Sequence, residues 1–202
     1  MSSLRCLLLD MGKVLIDFTY LPLGMKLFSL TGLSDQALHH AIVSDGLVVR
    51  FERGDISIEA FHSEICRRFG RQIPFDDFSS AWNSIFLDTP ILQEELIASL
   101  AGRVDLWVVS NTNRLHFEHI LKRYSFLHHF RGYIVSYELG AMKPDPRIYE
   151  AALRRAGVRA SEALFVDDLL TNVEAARDLG IDGFQFVNPE HFAQEMRSRA
   201  LL

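Results

Sequence analysis

Short runs of apolar residues recur along the chain, and each run stops at a polar or turn-forming residue. They occupy residues 4–9, 104–109, 133–135, 163–166 and 183–187. A strand that is buried on both faces has apolar residues at nearly every position, as in the interior of a parallel sheet. The runs therefore predict five strands of a parallel sheet, with the first strand near its centre.

Segments with apolar residues three or four positions apart separate these runs and predict helices. Two of them contain the sets Ile91, Leu92, Leu96 and Leu100, and Ile148, Ala152, Leu153 and Ala156. Caps and glycines mark the ends: Asn113 and Asn188-Pro189 begin helices, whereas Gly157 and Gly180 end them. The alternation of strands and helices predicts an α/β fold with a doubly wound parallel sheet.

The stretch between Asp17 and Asp88 interrupts this alternation. It shows no convincing strand pattern but several helical faces that are rich in Leu, Ile and Phe. About seventy residues are too many for a connecting loop in a compact domain. We therefore predict a core of residues 1–16 and 89–202 and an all-helical insert of residues 17–88.

The composition fits one compact α/β unit with a smaller insert. The chain has 202 residues, of which 49% are hydrophobic, and this is enough to bury a sizeable core. It carries 21 Lys and Arg against 26 Asp and Glu, which gives a formal net charge of −5. This balance argues against nucleic acid as the main partner, because phosphate backbones favour basic surfaces.

The N-terminal segment, the cysteines and the histidines narrow the class of protein further. The apolar run before Asp10 is too short for a membrane span and lacks the cleavage region of a signal peptide. We therefore expect no membrane partner and a cytoplasmic location. Cys6 and Cys66 match no metal pattern and predict two reduced, mostly buried thiols. The adjacent histidine pairs at 39–40 and 128–129 lack the acid or cysteine spacing of a zinc site and predict surface or packing roles.

The residues that follow the predicted strands are the candidates for chemistry. Ligands of an open parallel sheet bind outside the carboxyl ends of its strands. Those positions carry acids, a hydroxyl, an amide and a lysine: Asp10, Ser110, Asn111, Lys143, Asp167 and Asp168. One of them alone could be a helix cap, but four strand ends that all carry such residues predict a shared site.

These residue types suit phosphoryl transfer. The carboxylate of Asp10 can attack phosphorus and form an acyl-phosphate, which splits a difficult hydrolysis into two easier steps. Because a carboxylate and a phosphate repel each other, the site needs cations, and Mg²⁺ prefers oxygen ligands such as Asp10, Asp168 and Asp167. Lys143 supplies a second positive charge. Ser110 and nearby backbone N–H groups can hold a phosphate oxygen.

Four ordered stretches resemble the motifs of the haloacid-dehalogenase-like hydrolases. They are Asp10-Met-Gly-Lys-Val-Leu, Val108-Val-Ser110-Asn, Lys143-Pro-Asp-Pro-Arg-Ile-Tyr and Phe165-Val-Asp167-Asp168-Leu-Leu-Thr-Asn172. The resemblance covers nearly the whole chain and implies a Rossmann-like core, Mg²⁺ as the cofactor and hydrolysis of phosphate monoesters. The insert of residues 17–88 is similar to the family's small helical cap, which closes over the substrate.

A closer resemblance rests on three further stretches. They are Glu52-Arg-Gly-Asp-Ile-Ser57 with the following Glu59-Ala-Phe61, Ser110-Asn-Thr-Asn-Arg-Leu-His116, and Leu139-Gly-Ala-Met-Lys143-Pro. They look like the bacterial branch of the family that includes a glucose-1-phosphate phosphatase. The resemblance implies a small phosphorylated metabolite as the partner, with a sugar phosphate as the expected class.

Carried over position by position, the resemblance also implies a metal site. Asp10 would be both the nucleophile and a metal ligand, and Gly12 would bind the metal through its backbone carbonyl. Asp168 would be the direct acidic ligand, with Asp167 in or next to the coordination sphere. Asn172 would orient the acids through hydrogen bonds.

The resemblance implies a phosphate-binding set and a cap contact as well. Ser110, Asn111 and Lys143 would hold the phosphoryl group, and Lys143 would also neutralise the charge of the nucleophile. In the helical insert, Glu52 and Arg53 are candidates for contact with the leaving group of the substrate. A solvated turn is the competing interpretation of these two residues.

Gly12 is where the chain departs from the usual family pattern. Family phosphatases mostly have a second Asp two residues after the nucleophile, which protonates the leaving oxygen and then activates water. Gly has no side chain for either step, and the loss of a general acid/base typically slows a reaction about 10²–10⁴-fold. The glucose-1-phosphate phosphatase branch resembles this chain in having Gly here. A good leaving group or a protonating group from the cap would reduce the deficit.

Two other functions stay open on the sequence. In a haloacid-type dehalogenase, Asp10 would attack carbon and displace halide, which requires no acid at position 12. That chemistry needs no magnesium, however, and leaves the Asp167-Asp168 pair without a role. A catalytically silent module would bind a phosphorylated ligand and signal through cap closure, but it would have no reason to keep Asp10, Lys143 and Asp168 together. The leading prediction is a Mg²⁺-dependent phosphatase that works through an aspartyl-phosphate on Asp10.

Overall fold

The computed structural model describes residues 4–202, in which helices cover both faces of a central sheet. Within these residues the strands are β1 (Cys6–Leu9), β2 (Ile16–Phe18), β3 (Phe86–Pro90), β4 (Asp105–Ser110), β5 (Gly132–Val135), β6 (Ala163–Asp167) and β7 (Asp182–Gln185). The α-helices are α1 (Leu21–Thr31), α2 (Asp35–Val43), α3 (Leu47–Glu52), α4 (Ile58–Phe69), α5 (Phe75–Trp82), α6 (Glu94–Ala101), α7 (Arg114–Arg123), α8 (Ser136–Leu139), α9 (Pro146–Ala156), α10 (Leu170–Asp178) and α11 (Pro189–Ser198). Short 3₁₀ turns lie at Ser44–Gly46, Asn83–Ile85, Ser125–His129 and Ala160–Glu162.

The central sheet has five parallel strands in the order β5-β4-β1-β6-β7. The chain passes from β1 to β4 and β5 on one side and then returns to β6 and β7 on the other side. The strand order therefore reverses at β1, and ligands of such sheets bind at the carboxyl end of this switch point. The doubly wound parallel sheet and the central place of the first strand are confirmed.

Alternate residues of β1 belong to two different hydrophobic clusters, because successive side chains of a strand point to opposite faces. Leu7 and Leu9 pack in a cluster with residues of α6, α7 and α11. Cys6 and Leu8 pack on the other face with residues of α9 and α10. Helices thus cover β1 on both faces, as its unbroken apolar run predicts.

The helix ends follow the predicted caps. Asn113 Oδ1 accepts a hydrogen bond from the His116 N–H at 2.9 Å, and Asn188 Oδ1 accepts one from the His191 N–H at 2.8 Å. Gly157 follows α9 with a φ of 65°, a left-handed conformation that glycine adopts without strain. Among the described residues, no helix combines the length and the apolar character that crossing a membrane requires.

The helices α1–α5 lie between β2 and β3 and share a hydrophobic cluster of their own. Its centre is aromatic, since the ring of Phe61 stacks on Phe51 with centroids 4.2 Å apart and meets the edge of Trp82 at 4.9 Å. Leu115 of α7 joins this cluster from the core. Cys66 is buried in the same cluster, and both Cys6 and Cys66 are free thiols, as the sequence predicts.

The strands β2 and β3 are not predicted by the sequence pattern. They pair antiparallel and form a two-stranded sheet where the chain enters and leaves the helical insert. The expectation that no strand lies between Asp17 and Asp88 is therefore wrong at both ends. The two strands have three and five residues, which are too few to show a period of two. Both strands cross the predicted boundaries of the insert, and the division into core and cap stays a prediction.

Candidate active site

Three neighbouring strand ends bring the predicted residues to one rim of the sheet. Asp10 directly follows β1, Ser110 is the last residue of β4, and Asp167 is the last residue of β6. Because β1 is hydrogen-bonded to both β4 and β6 in parallel register, Asp10 lies between the ends of its two neighbours. The topology therefore brings together side chains that are far apart in the sequence.

Lys143 reaches this rim from the loop between α8 and α9. Its Nζ lies 2.6 Å from Asp10 Oδ1 and 2.6 Å from Asp167 Oδ2, and the residue is only 6% exposed. Burial opposes the charge of Lys143, but the attraction of the two carboxylates outweighs it and raises the pKa of Lys143 above its ordinary value. The ammonium group is thus held charged between two acids.

The Asp10 carboxyl is under opposing influences. Burial raises the pKa of Asp10, Lys143 works against that rise, and the negative charge of Asp167 adds to it. The Met11 N–H donates to Asp10 Oδ1 at 2.7 Å and orients the carboxylate. A cation bound beside Asp10 would favour the ionised form, which is the form that acts as a nucleophile.

The acids at the rim fit a magnesium ion. Asp10, Asp167 and Asp168 each place one carboxylate oxygen within 4.8 Å of the others. Burial, followed by the charge of Asp167, raises the pKa of Asp168. Three carboxylates face the single ammonium group of Lys143, so the cluster carries excess negative charge. Carboxylate oxygens with excess negative charge are the donor set that Mg²⁺ prefers. The predicted acidic ligands are therefore brought together.

Hydrogen bonds fix the buried carboxylate of Asp167. Asn172 Nδ2 and the Leu169 N–H each donate to Asp167 Oδ1 at 2.9 Å, and Lys143 Nζ donates to the other oxygen. Asn172 thus contacts one of the acids that the resemblance expects it to orient. Asp168 is less buried than Asp167, which leaves its carboxylate more accessible to an incoming ion.

Ser110 and Asn111 occupy the end of β4, but their side chains have different surroundings. Ser110 is 3% exposed and lies next to the rim. The amide of Asn111 is committed to the Lys143 backbone: Nδ2 donates to the Lys143 carbonyl at 2.9 Å, and Oδ1 accepts from the Lys143 N–H at 2.7 Å. The Asn111 amide therefore positions the Lys143 backbone, and the contact of Asn111 with the phosphoryl group stays a prediction.

Gly12 lies in the turn after β1, and Phe18 fills the space where its side chain would be. A Cβ added to Gly12 would lie 3.1 Å from Phe18 Cε1. Lys13 covers the same ring at 4.6 Å, and its Nζ donates to the Phe18 carbonyl and to Asp17. An apolar ring therefore lies where an acid at position 12 would extend. The sequence pattern did not indicate this role of Phe18.

The turn from Glu52 to Gly54 brings the helical insert against the core. The Glu52 carbonyl accepts a hydrogen bond from Ser136 Oγ at 2.6 Å. A Cβ on Gly54, whose φ is 81°, would overlap the carbonyl oxygen of Tyr137. Burial raises the pKa of the Glu52 carboxyl to about 7. Arg53 is exposed and pairs with Asp55 across the turn.

Two contacts between the insert and the core were not predicted, although a structural role was the favoured interpretation of His116. Ser136, directly after β5, is fully buried, and its hydroxyl accepts from the Thr112 N–H at 2.9 Å while it contacts Glu52. His116 Nε2 lies 3.1 Å from the Trp82 carbonyl, and its Nδ1 lies 3.0 Å from Asn113 Nδ2. Polar residues that directly follow a strand or a cap are the one signal that could have indicated both.

Comparison with known proteins identifies a family whose sequence pattern the chain matches. A family model described as haloacid dehalogenase-like hydrolase matches residues 4–180. That range contains every residue of the rim described above. Four-fifths of the chain or more thus fits one family pattern, and the match is not confined to a single motif.

Curated relatives and solved structures agree with the family model. The chain is 24% identical over 200 residues to a D-ribitol-5-phosphate phosphatase of Bacteroides thetaiotaomicron, which covers 96% of this chain and 97% of the relative. It is 26% identical over 199 residues to a sesquiterpene phosphatase of Aspergillus oryzae, with 97% and 96% covered. A solved HAD family enzyme from Bacteroides thetaiotaomicron, in complex with magnesium and inorganic phosphate, has a TM-score of 0.87 at 26% identity. That comparison covers 96% of this chain and 100% of the other.

Proposed function

The chain belongs to the haloacid dehalogenase-like hydrolases, and we propose that it is a Mg²⁺-dependent phosphatase that acts through an aspartyl-phosphate on Asp10. The observation that carries the proposal is the buried Lys143, whose Nζ lies 2.6 Å from both Asp10 and Asp167 in a cluster of three acids. Two full-length relatives named as phosphatases support the same reaction. The solved relative with magnesium and inorganic phosphate supports the same cofactor.

Asp10, Asp168 and the Gly12 carbonyl would hold Mg²⁺, with Asp167 beside them. The ion supplies the positive charge that lets a phosphate approach a carboxylate. Lys143 neutralises part of the negative charge on Asp10 and on the phosphoryl oxygens, and its position is fixed by Asn111. Positioning and charge neutralisation are the main requirements of phosphoryl transfer.

The reaction proceeds in two displacement steps. A carboxylate oxygen of Asp10 attacks phosphorus, so that a new P–O bond forms while the ester P–O bond breaks. The leaving oxygen keeps the electron pair of the broken bond and takes up a proton. Water then attacks the phosphorus of the aspartyl-phosphate, and the Asp10 carboxylate is released together with inorganic phosphate.

The proton for the leaving group has to come from outside position 12, because Gly12 has no side chain. We place Glu52 against the leaving group, since the turn that carries it contacts the core at Ser136. Burial raises the pKa of Glu52 to about 7, which suits a group that gives and takes protons near neutral pH. Arg53, which is paired with Asp55 on the surface, has a less direct position.

The expected substrate is a small phosphate monoester, with a sugar or polyol phosphate as the first class to test. The resemblance to the glucose-1-phosphate phosphatase branch and the relative that acts on D-ribitol 5-phosphate support this class. The sesquiterpene phosphatase shows that a relative of similar length is named for an apolar leaving group. Esters of both kinds therefore belong in one panel.

The decisive experiment measures phosphate release from such a panel with Mg²⁺ and with a chelator. We expect release that depends on Mg²⁺ and falls to background in Asp10→Asn. Asp178→Asn, an exposed acid at the end of α10, is the matched control and keeps full activity. Phosphate release that persists unchanged in Asp10→Asn would show that the proposed mechanism is wrong.

A dehalogenase is the second candidate, and Gly12 is the observation that favours it. Attack of Asp10 on carbon releases halide and needs no acid at position 12. The cluster of Asp10, Asp167 and Asp168 argues against it, because carbon attack gives these acids no metal-dependent role. Halide release from 2-haloacids without added metal, and no phosphate release from any ester, would replace the phosphatase. Tight phosphate binding without either product would point to the silent binding module.

A further inference from the structure

Glu94, His128 and His129 form a second cluster of metal-binding side chains, and it shares no residue with the Asp10 site. One ring nitrogen of each histidine and one carboxylate oxygen of Glu94 lie within 4.8 Å of one another. Glu94 begins α6, whereas the two histidines end the 3₁₀ turn that precedes β5. The fold supplies the acid that the sequence around the histidine pair lacks.

Ser125 contacts two members of the cluster. Its Oγ donates a hydrogen bond to Glu94 Oε2 at 3.0 Å, and its carbonyl oxygen contacts His128 Nδ1. Because a carbonyl can only accept, the proton of neutral His128 sits on Nδ1, and Nε2 keeps the free lone pair that binds metals. Hydrogen bonds of this kind orient the ligands of known metal sites.

His129 completes the set at a separation that suits two ligands of one ion. Its Nε2 lies 3.6 Å from Glu94 Oε1, which is too long for a hydrogen bond. Two ligands at zinc bond lengths and tetrahedral angles are about 3.4 Å apart, since each bond is about 2.0–2.1 Å long. The rings of His128 and His129 lie side by side with centroids 3.9 Å apart.

We propose that Glu94, His128 and His129 bind a zinc ion, with water in the fourth position. Two imidazoles and one carboxylate are a donor set that zinc favours, whereas Mg²⁺ prefers oxygen ligands alone. The two clusters therefore select different ions. Glu94 and His129 are half-buried and His128 is exposed, which leaves an open side for the water. The bound ion ties the start of α6 to the turn before β5.

Zinc affinity tests this proposal directly. The zinc affinity of the purified protein is measured by competition with a chromophoric chelator. Excess Mg²⁺ is present so that the Asp10 cluster is occupied by Mg²⁺ and not by zinc. We expect one tight equivalent in the wild type, and an affinity at least about 100-fold weaker in His128→Ala and in His129→Ala. The double variant His39→Ala/His40→Ala removes an exposed adjacent pair of the same type and is the matched control. It keeps the wild-type affinity.

Thermal unfolding gives a readout that is independent of catalysis. Zinc at a hundredfold excess over its dissociation constant raises the melting temperature of the wild type by roughly 5–10 °C. Glu94→Gln keeps the shape of the side chain but loses this rise, whereas Asp10→Asn retains it. The proposal is overturned if no equivalent binds in excess Mg²⁺, or if the variants of Glu94, His128 and His129 bind zinc as tightly as the histidine control.

Discussion

The rim around Asp10 and the core of the helical insert are both buried, but their stability has different origins. At the rim, two carboxylates share one ammonium group, and each charge is tolerated only because the others are present. In the insert, Phe61 packs against Phe51 and Trp82, and each ring contributes through the area that it removes from water. Loss of a residue therefore leaves an unpaired charge in one region and a cavity in the other.

Lys143→Met is expected to have the largest effect, because it leaves the buried carboxylates of Asp10 and Asp167 without their cation. We expect phosphate release to fall by about 10³-fold or more. The free energy of unfolding in chelator falls by about 3–5 kcal/mol, the usual loss when one partner of a buried pair is removed. Enzyme assays and urea unfolding measure the two effects.

Added Mg²⁺ sharpens this test, because a cation can replace part of the lost charge. The stabilisation by Mg²⁺ is therefore larger in Lys143→Met than in the wild type. Lys122→Met, an exposed lysine on α7, is the control and changes neither activity nor stability. If Mg²⁺ stabilised Lys143→Met no more than the wild type, charge would not be what holds the rim together.

Phe61→Ala tests the other side of the comparison. Phe61 is fully buried among aromatic rings, so the variant leaves a cavity and lowers the free energy of unfolding by about 3–5 kcal/mol. Urea unfolding measures the loss, and added Mg²⁺ does not restore it. Phe75→Ala, in which a half-exposed ring is removed, changes stability much less. If Mg²⁺ restored the free energy of unfolding of Phe61→Ala, the stability of the two regions would not have different origins.

His116 lies where the two regions meet and has to stay uncharged. Burial lowers its pKa to about 4, and a hydrogen bond to the Trp82 carbonyl offsets only part of this. The unfolded chain, with an ordinary histidine pKa of about 6.5, takes up the proton first. The stability that uncharged His116 contributes is therefore complete above about pH 6.5. It falls by roughly 3 kcal/mol as the pH decreases toward about 4.

Urea unfolding at neutral pH and at about pH 4 measures this loss. His116→Gln cannot take up a proton, so its stability falls less between the two pH values than that of the wild type. His39→Gln, an exposed histidine on α2, retains the full loss. The same pH dependence in all three proteins would assign the acid sensitivity to other groups, such as the carboxylates of the rim.

Gly54→Ala is expected to have the smallest effect of the set, about 1–3 kcal/mol. The new methyl group would overlap the Tyr137 carbonyl and push the Glu52 turn away from the core. Gly70→Ala has a similar positive φ but no atom within 4 Å of the added Cβ, so it isolates backbone strain from the clash. A larger rise in KM for Gly54→Ala than for Gly70→Ala, measured with the best ester, would support the role of this turn in substrate binding. An equal rise would count against it.

The sequence predicts the central sheet and the rim for one physical reason. A strand that is buried on both faces has an unbroken apolar run, and the polar residue that follows it must lie at the carboxyl end of the sheet. Asp10, Ser110 and Asp167 could be placed in this way without knowledge of any contact. Lys143 lies in the loop that leads away from β5, so the strand pattern predicts its place on the rim but not its contacts with Asp10 and Asp167.

The features that the sequence did not predict depend on contacts between short or distant segments. β2 and β3 are stabilised mainly by pairing with each other, so neither carries a pattern of its own. The amide of Asn111 turns to the Lys143 backbone because the loop returns beside β4, and no spacing encodes that return. Glu94 joins the histidine pair at 128–129 in the same way, through the packing of α6 against the 3₁₀ turn.

Phe18 couples position 12 to position 18 in any attempt to restore the missing acid. An Asp at position 12 would meet the ring of Phe18, since even its Cβ would lie 3.1 Å from Cε1. A smaller residue at position 18 would remove the ring that Lys13 covers at 4.6 Å, without an acid to fill the space. The two positions therefore depend on each other, and Gly12→Asp is expected to be accommodated better with a smaller residue at position 18 than alone. Epistasis between these two neighbours would show as a stability of the double variant that differs from the sum of the two single effects.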